Sequence, residues 1–149
     1  MFENILVVCV GNICRSPLGE ALLSIHFPEK AIHSAGISAE RSRLVGKQAD
    51  NTMLDVARKH NIDLSSHKSQ QLTHDLCRQA DLILVMEKGH IEKVREISPE
   101  STGKVMLFGR WLEGNQEIAD PYRQSREMFE AVYKQIETAA LAWQKKLSR

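Results

Sequence analysis

An apolar run near the N-terminus, followed at once by a small-residue loop, constrains the fold of this chain more than any other feature. The run Ile5–Val10 predicts a strand that is buried on both faces, as strands of parallel sheets are. Residues 9–16 read Cys-Val-Gly-Asn-Ile-Cys-Arg-Ser, and the Gly and Asn favour a tight loop. Ser16 is predicted to cap a helix whose first position is Pro17. The segment therefore predicts a strand, a loop and a helix in direct succession.

The same loop carries the groups expected of an anion-binding site. Its backbone N–H groups and the positive end of the following helix can point at one bound phosphate, and Arg15 adds a cation. This positive field also stabilises the thiolate form of Cys9, which is the nucleophilic form. A nucleophile that coincides with a phosphate site indicates phosphoryl transfer through a phosphocysteine. The alternative, a buried strand cysteine without chemistry, explains neither the loop nor Arg15.

Strand-like and helical patterns alternate along the rest of the chain. Strands are predicted at residues 5–10, 31–34, 81–86 and 104–108, and helices at 17–26, 50–61, 73–79, 88–96 and 125–147. Such alternation implies an α/β fold in which a parallel sheet is covered by helices on both faces, as a three-layer sandwich. No repeat or linker interrupts residues 1–149, so we expect a single domain.

A second candidate for chemistry lies in the non-periodic stretch 109–122, after the last predicted strand. Ligands of open α/β sheets bind beyond the carboxyl ends of the strands, where Cys9 lies and where this stretch begins. A phenolate leaving group has a conjugate-acid pKa of about 10, so a proton donor helps to expel it. Asp120 is the predicted donor, and Tyr122 is predicted to pack against an aromatic substrate. The alternative is that Asp120-Pro121 is a turn and Tyr122 a packing residue.

Composition and charge exclude several other classes of protein. The net charge is +1 and the cations are dispersed, so we expect neither nucleic-acid binding nor membrane insertion. The three cysteines fit a reducing cytoplasm rather than a disulfide scaffold. The six histidines lack the spacing of a zinc site, and we expect no metal and no cofactor. Nothing in the sequence requires more than a monomer.

Three motifs together resemble the low-molecular-weight protein-tyrosine phosphatases: Cys9–Pro17, Ser34–Gly36 and Asp120–Tyr122. The resemblance covers nearly the whole chain, and Met86-Glu87-Lys88 is similar to the bacterial branch associated with capsule and exopolysaccharide export. It implies a four-stranded parallel sheet and a single phosphatase domain. It also implies hydrolysis of phosphotyrosine on a partner protein, a bacterial tyrosine autokinase.

The resemblance assigns roles to matching positions. Cys9 is implied as the nucleophile, Arg15 as the bidentate phosphate clamp, and Asp120 as an acid that later becomes a base. Substrate contacts are implied for the loop and for two residues of the pocket wall, namely Val10, Gly11, Asn12, Ile13, Cys14, Ser16, Leu44 and Tyr122. Asn12 would adopt a left-handed conformation, which Asn tolerates. Hydrogen bonds that support the loop are implied for Ser16, Ser34 and His67.

Two other functions use the same cysteine. A thiol-dependent arsenate reductase needs further cysteines close together in the middle of the chain, where only Cys77 is present. A thiol redox switch could use Cys9 and Cys14, but their C-x4-C spacing differs from the C-x-x-C of thioredoxin-like motifs, and a switch would not need Arg15 or Asp120. Cys14 itself is either a partner for a protective disulfide with Cys9 or a small apolar filler.

Overall fold

Four parallel strands form one sheet with the order β2-β1-β3-β4 in the computed structural model, which describes residues 2–148. The strands are β1 (Asn4–Cys9), β2 (Ala31–Gly36), β3 (Leu82–Val85) and β4 (Val105–Leu107). Cys9 pairs with Gly36 in the register of β1 and β2, and Val8 pairs with Val85 of β3. The first strand is therefore interior to the sheet, and its carboxyl end lies between two neighbours.

Within residues 2–148, five α-helices and one 3-10 helix connect and cover the strands. The helices are α1 (Arg15–His26), α2 (Asn51–Lys59), α3 (His74–Gln79), α4 (Lys88–Ile97) and α5 (Arg126–Leu147), and the 3-10 helix is Pro99–Lys104. Three of the α-helices begin at side-chain caps that accept from backbone N–H groups: Asp50, Thr73 and Ser125. No helix within residues 2–148 is long and apolar enough to cross a membrane.

The sheet separates two apolar layers, so the predicted three-layer α/β sandwich is confirmed. Alternate side chains of β1 enter opposite layers, with Ile5 and Val7 on one face and Leu6 and Val8 on the other. The first layer contains side chains of α1, α2 and α5, and the second contains side chains of α3 and α4. Both faces of β1 are buried, which explains why its sequence is apolar without alternation.

The long C-terminal helix packs largely as its periodicity predicts. Phe129, Val132, Tyr133, Ile136, Ala140 and Trp143 are buried. The indole N–H of Trp143 donates to the Phe108 carbonyl over 2.8 Å, so this tryptophan is a packing residue with a satisfied polar group. Met128 lies one helical turn before Val132, so the apolar spacing in the sequence places it on the same buried side, but it lies in the first turn of α5 and is 38% exposed.

The start of α1 differs from the sequence-based expectation. The helix begins at Arg15, and its N-cap residue is Cys14, which makes no side-chain cap bond. The prediction that Ser16 caps the helix is wrong, because its hydroxyl instead contacts Cys9 Sγ and the amide of Asn12. Pro17 lies in the first helical turn, where a missing N–H removes no intrahelical bond.

Candidate active site

The loop after β1 is held in shape by a buried asparagine. Asn12 has φ +60° and is fully buried, a backbone conformation that few residues other than Gly and Asn adopt. Its side-chain amide donates to Ser16 Oγ (2.7 Å) and Ser34 Oγ (2.9 Å), and its Oδ1 accepts from the backbone N–H of Gln70 (2.9 Å). Its carbonyl lies 2.6 Å from His67 Nε2. One side chain and its carbonyl thus tie the loop to α1, β2 and the 67–70 segment.

Two donors converge on the sulfur of Cys9. The backbone N–H of Asn12 donates to Sγ over 3.3 Å, and Ser16 Oγ lies 3.0 Å from it. Ser16 Oγ already accepts from the Asn12 amide, which leaves the hydroxyl proton free to point at the sulfur. Cys9 therefore lies at the end of the central strand with hydrogen-bond donors directed at its side chain.

Arg15 is buried at the start of α1, with 1% of its surface exposed. Its Nη1 donates to Glu87 Oε2 (2.6 Å) and to the Ile118 carbonyl (2.8 Å), and its Nη2 lies 3.8 Å from Asp120 Oδ2. A buried guanidinium needs such an anionic partner. Its Nε, in contrast, has no hydrogen-bond partner among residues 2–148. The fork is thus anchored at one end and retains a free donor for an incoming anion.

Glu87 is a site residue that the sequence analysis did not assign. It follows Met86 at the carboxyl end of β3, the strand beside β1, and so it belongs to the sheet edge where Cys9 lies. A carboxylate directly after a buried apolar strand was the available signal. Its partner Arg15 is 72 residues away in sequence, so no local pattern connects the two.

One cavity of about 390 Å³ brings most of the predicted residues together. It is lined by Cys9, Val10, Gly11, Ile13, Cys14, Arg15, Leu44, Asp120 and Tyr122, and also by Ser42 and Arg123, which were not predicted. Asn12 and Ser16 were expected to contact substrate, but they are absent from the lining within the described part of the chain. Their side chains, with those of Ser34 and His67, form the hydrogen-bonded layer behind the loop.

Leu44, the residue predicted for the pocket wall, lies in the lining of the cavity and is an apolar part of it. A Cβ atom placed on Gly11 would lie 2.8 Å from Leu44 Cδ1, so the leucine rests directly on the loop. Val10 and Tyr122 are the exposed apolar residues of the same cavity. These three side chains give the cavity an apolar mouth above a polar floor, which suits an aromatic ring that carries an anionic group.

Cys14 also lines the cavity, but its chemistry differs from that expected of a nucleophile. Burial raises the pKa of its thiol, and the nearby Asp50 carboxylate raises it further. Its thiol therefore stays protonated at neutral pH and is a small apolar group beneath the loop. Cys77 is fully buried beside α4, and burial raises the pKa of its thiol too.

Gly36 explains the Ser34–Gly36 motif, because the loop passes directly over it. A Cβ atom at this position would lie 2.7 Å from the Val10 carbonyl and 3.0 Å from the Asn12 nitrogen, both backbone atoms that cannot rotate away. We expect Gly36→Ala to lower the free energy of unfolding by about 1–3 kcal/mol, as overpacking does. Urea unfolding measures this. Gly89→Ala is the control and should cause no loss, because a Cβ atom there would meet no described atom within 4 Å apart from its chain neighbours and the backbone of its own helix.

Equal stability of the Gly36→Ala and Gly89→Ala variants would contradict this account of the motif.

Across residues 2–148, no group of three or more His, Cys, Asp or Glu side chains is placed to hold a metal ion.

Comparison with known proteins identifies the family. Residues 4–149 match the family described as low molecular weight phosphotyrosine protein phosphatase. The phosphatase Wzb of Escherichia coli K12 is 53% identical over 99% of this chain and 97% of its own. Two solved structures are similar over nearly their whole lengths. Vibrio vulnificus Wzb in complex with benzylphosphonate is 56% identical with a TM-score of 0.96, covering 99% of this chain and 100% of that chain.

The Erwinia amylovora tyrosine phosphatase AmsI is 55% identical with a TM-score of 0.95, covering 100% of this chain and 95% of that chain. The sequence motifs, the four-stranded parallel sheet and these full-length similarities agree with one another, and the predicted family is confirmed. The chain belongs to the low molecular weight protein-tyrosine phosphatase family.

Proposed function

We propose that this chain is a protein-tyrosine phosphatase that hydrolyses phosphotyrosine through a covalent phosphocysteine on Cys9. One observation carries the proposal. A cysteine with donors directed at its sulfur, an arginine with an unpartnered Nε and a carboxylate line the same 390 Å³ cavity. These are a nucleophile, an oxyanion clamp and a proton donor around one cavity.

In the first step the Cys9 thiolate attacks phosphorus opposite the phenolic oxygen. The S–P bond forms as the P–O bond to the phenol breaks, and the three equatorial oxygens are held by the loop N–H groups and Arg15. These donors are already oriented, so they stabilise the charge of the transition state at little reorganisation cost. A protonated Asp120 transfers its proton to the departing phenolate.

In the second step the roles of the same groups are reused. Asp120, now a carboxylate, takes a proton from a water molecule that attacks the phosphocysteine. The S–P bond breaks, inorganic phosphate forms and the Cys9 thiolate is restored. The oxygen atoms of the phosphoryl group stay on the Arg15 and loop donors in both steps.

The mouth of the cavity supports an aromatic phosphate as substrate. Vibrio vulnificus Wzb was solved with benzylphosphonate, in which a benzyl group is attached to phosphonate. The corresponding space in this chain is bordered by Val10, Leu44 and Tyr122. The relatives reported above are named as phosphatases, which favours hydrolysis over arsenate reduction and over a thiol switch. Among the described residues, Cys77 is buried and does not line the cavity, which further disfavours arsenate reduction.

The biological setting follows from the same similarities and extends the proposal. A tyrosine autokinase of capsule or exopolysaccharide export is the proposed protein substrate, and the cytoplasm is the proposed compartment. We propose that the chain acts as a monomer without metal or cofactor. The similarity to the phosphatases Wzb and AmsI supports this setting.

Substrate selectivity tests the function. Purified protein should hydrolyse an aryl phosphate and a phosphotyrosine peptide, and it should leave the matched phosphoserine peptide intact, since an aliphatic side chain is too short to carry phosphate past the apolar mouth. Phosphate release is measured under reducing conditions. Equal turnover of both peptides would remove the tyrosine assignment, and no release from any of the three would remove the phosphatase function.

Glu87 is expected to position Arg15 for phosphate binding. Its carboxylate accepts from Nη1 at 2.6 Å and so holds in place a guanidinium whose residue lines the cavity. Glu87→Gln keeps an acceptor oxygen but removes its charge. Because a charge-assisted hydrogen bond is roughly twice as strong as a neutral one, kcat/KM for an aryl phosphate should fall about three- to tenfold. The control is Glu92→Gln, which alters an exposed carboxylate of α4, the helix that begins directly after Glu87. Steady-state kinetics measure both variants. Equal kcat/KM values for the two variants would contradict the positioning role.

A further inference from the structure

Two arginines hold an unfavourable backbone conformation beside the cavity. Among the described residues, five that are not glycine have positive φ: Asn12, Asn61, Asn115, Arg43 (φ 58°) and Arg123 (φ 62°). Asparagine adopts this region readily, whereas arginine gains nothing from it. Such strain persists where the surrounding structure requires it, and it clusters at ligand-binding sites.

Both arginines belong to chain segments that line the same cavity. Arg123 lines the cavity directly. Arg43 lies between Ser42 and Leu44, which also line it, and its side chain is exposed. The two come from different loops, one after β2 and one after Asp120. Together they place a cation on each of the two chain segments that frame the mouth.

Neither arginine is neutralised within the protein. Over residues 2–148, no carboxylate oxygen lies within 4 Å of either guanidinium, while Arg15, Arg58, Arg78, Arg95 and Arg126 all have one. The Arg123 guanidinium lies 5.2 Å from the centroid of the Tyr122 ring, which leaves its N–H donors available. Asp120 is the sole carboxylate of the cavity lining in this part of the chain, and it lies 3.8 Å from Arg15, so Arg123 has no carboxylate partner in the lining.

We propose that Arg43 and Arg123 form a cationic rim that binds acidic residues on either side of the phosphotyrosine. This inference rests on the phosphatase function proposed above and deepens it by naming the substrate class, acidic phosphotyrosine segments. The guanidinium fork matches a carboxylate with two parallel hydrogen bonds. Charges at a rim mainly select among partners and raise the rate of encounter. Each arginine therefore favours an acidic flank about two- to fivefold, the range of exposed charge pairs.

The test compares two phosphotyrosine peptides that differ only in their flanks. One carries Glu on both sides of the phosphotyrosine and the other carries Gln. Arg43→Asn, Arg123→Asn and the double variant remove the charges, and asparagine tolerates the left-handed conformation, so the backbone is preserved. Arg123→Lys keeps the charge. Arg41→Asn is the matched control, since it removes a cation of the same loop that lines a different depression with Ile37 and Lys93.

The readout is the ratio of kcat/KM for the Glu peptide to that for the Gln peptide. We expect a ratio of about 4 to 25 in the unaltered chain, from two such pairs, and a ratio near 1 in the double variant. Each single variant should be intermediate, and Arg41→Asn and Arg123→Lys should retain most of the preference. An unchanged ratio in the double variant, or an equal loss in Arg41→Asn, would overturn the rim.

Turnover of an aryl phosphate separates failure of the rim from failure of the phosphatase function. This substrate has no flanking residues, so Arg43→Asn, whose arginine is not part of the cavity lining, should keep the kcat/KM of the unaltered chain within about twofold. A large loss on aryl phosphate in Arg43→Asn would show that this arginine acts on the phosphate itself, which also overturns the rim. A chain inactive on aryl phosphate would overturn the function and the rim together.

Discussion

Cys9→Ser is expected to reduce turnover of an aryl phosphate by about 10⁴-fold or more, the effect of losing an activated nucleophile. A serine hydroxyl attacks phosphorus only if a base removes its proton. The contacts to Cys9 Sγ come instead from the Asn12 N–H and from Ser16, whose hydroxyl proton is free to point at it, and these favour an anion without accepting a proton. The substituted oxygen therefore remains a protonated, weak nucleophile.

The same variant should still bind oxyanions. Arg15 and the loop N–H groups are unchanged by the substitution, so phosphate or tungstate should bind within about tenfold of the unaltered chain. Calorimetric titration measures the affinity, and single-turnover kinetics measure the chemistry. Turnover within tenfold of the unaltered chain would exclude Cys9 as the nucleophile. If the variant lost its folded structure along with its oxyanion binding, its low turnover would say nothing about the role of Cys9. Circular dichroism of the variant therefore accompanies the titration and the kinetic measurement.

Asp120→Asn is expected to lower kcat/KM for phenyl phosphate by about 10²–10³-fold, the usual contribution of a general acid. For a substrate whose leaving group is p-nitrophenolate the loss should be less than about tenfold, because a stable anion departs without a proton. The substitution keeps Oδ1, which accepts from the Tyr122 N–H over 3.0 Å, so the turn is retained. Because kcat/KM reports steps up to formation of the phosphocysteine, the later hydrolysis does not obscure the comparison.

Glu113→Gln is the matched control for this comparison, since it removes an exposed carboxylate from the same loop but not from the cavity. It should leave both substrates unaffected. Losses of equal size for the two leaving groups would mean that Asp120 acts through the field of the site rather than as an acid. The ratio between substrates is therefore more informative than either rate alone.

The fold was predictable because its determinants are local. The apolar run of β1 indicates that both faces of the strand are buried. The spacing of Phe129, Val132 and Ile136 indicates which side of α5 faces the core. The 3-10 helix Pro99–Lys104 was missed, since six residues are too few to show a period. The start of α1 was predicted too late in the sequence, because a serine before a helix is typical of an N-cap. The sequence does not show that its hydroxyl contacts other groups instead.

The site residues divide in the same way, into those that a local sequence motif marks and those that only the assembled fold brings together. Cys9, Arg15 and Asp120 belong to short contiguous motifs, so the sequence alone singled them out. Glu87 meets Arg15 only because β3 pairs beside β1, and this pairing is a property of the assembled sheet. Arg43 and Arg123 were beyond reach for another reason. Arginine has no preference for the left-handed region, so no residue-level signal marks their backbone conformation.

The position of Asn12 limits how far the eight-residue motif can be transplanted. Its carbonyl and Oδ1 are bonded by His67 and Gln70, which lie 55 and 58 residues further along the chain. Grafting residues 9–16 onto an unrelated strand–helix junction would transfer the sequence of the motif without the hydrogen bonds that hold its loop conformation. A design that reuses this anion-binding loop must therefore also include β2, which carries Ser34, and the segment 67–70.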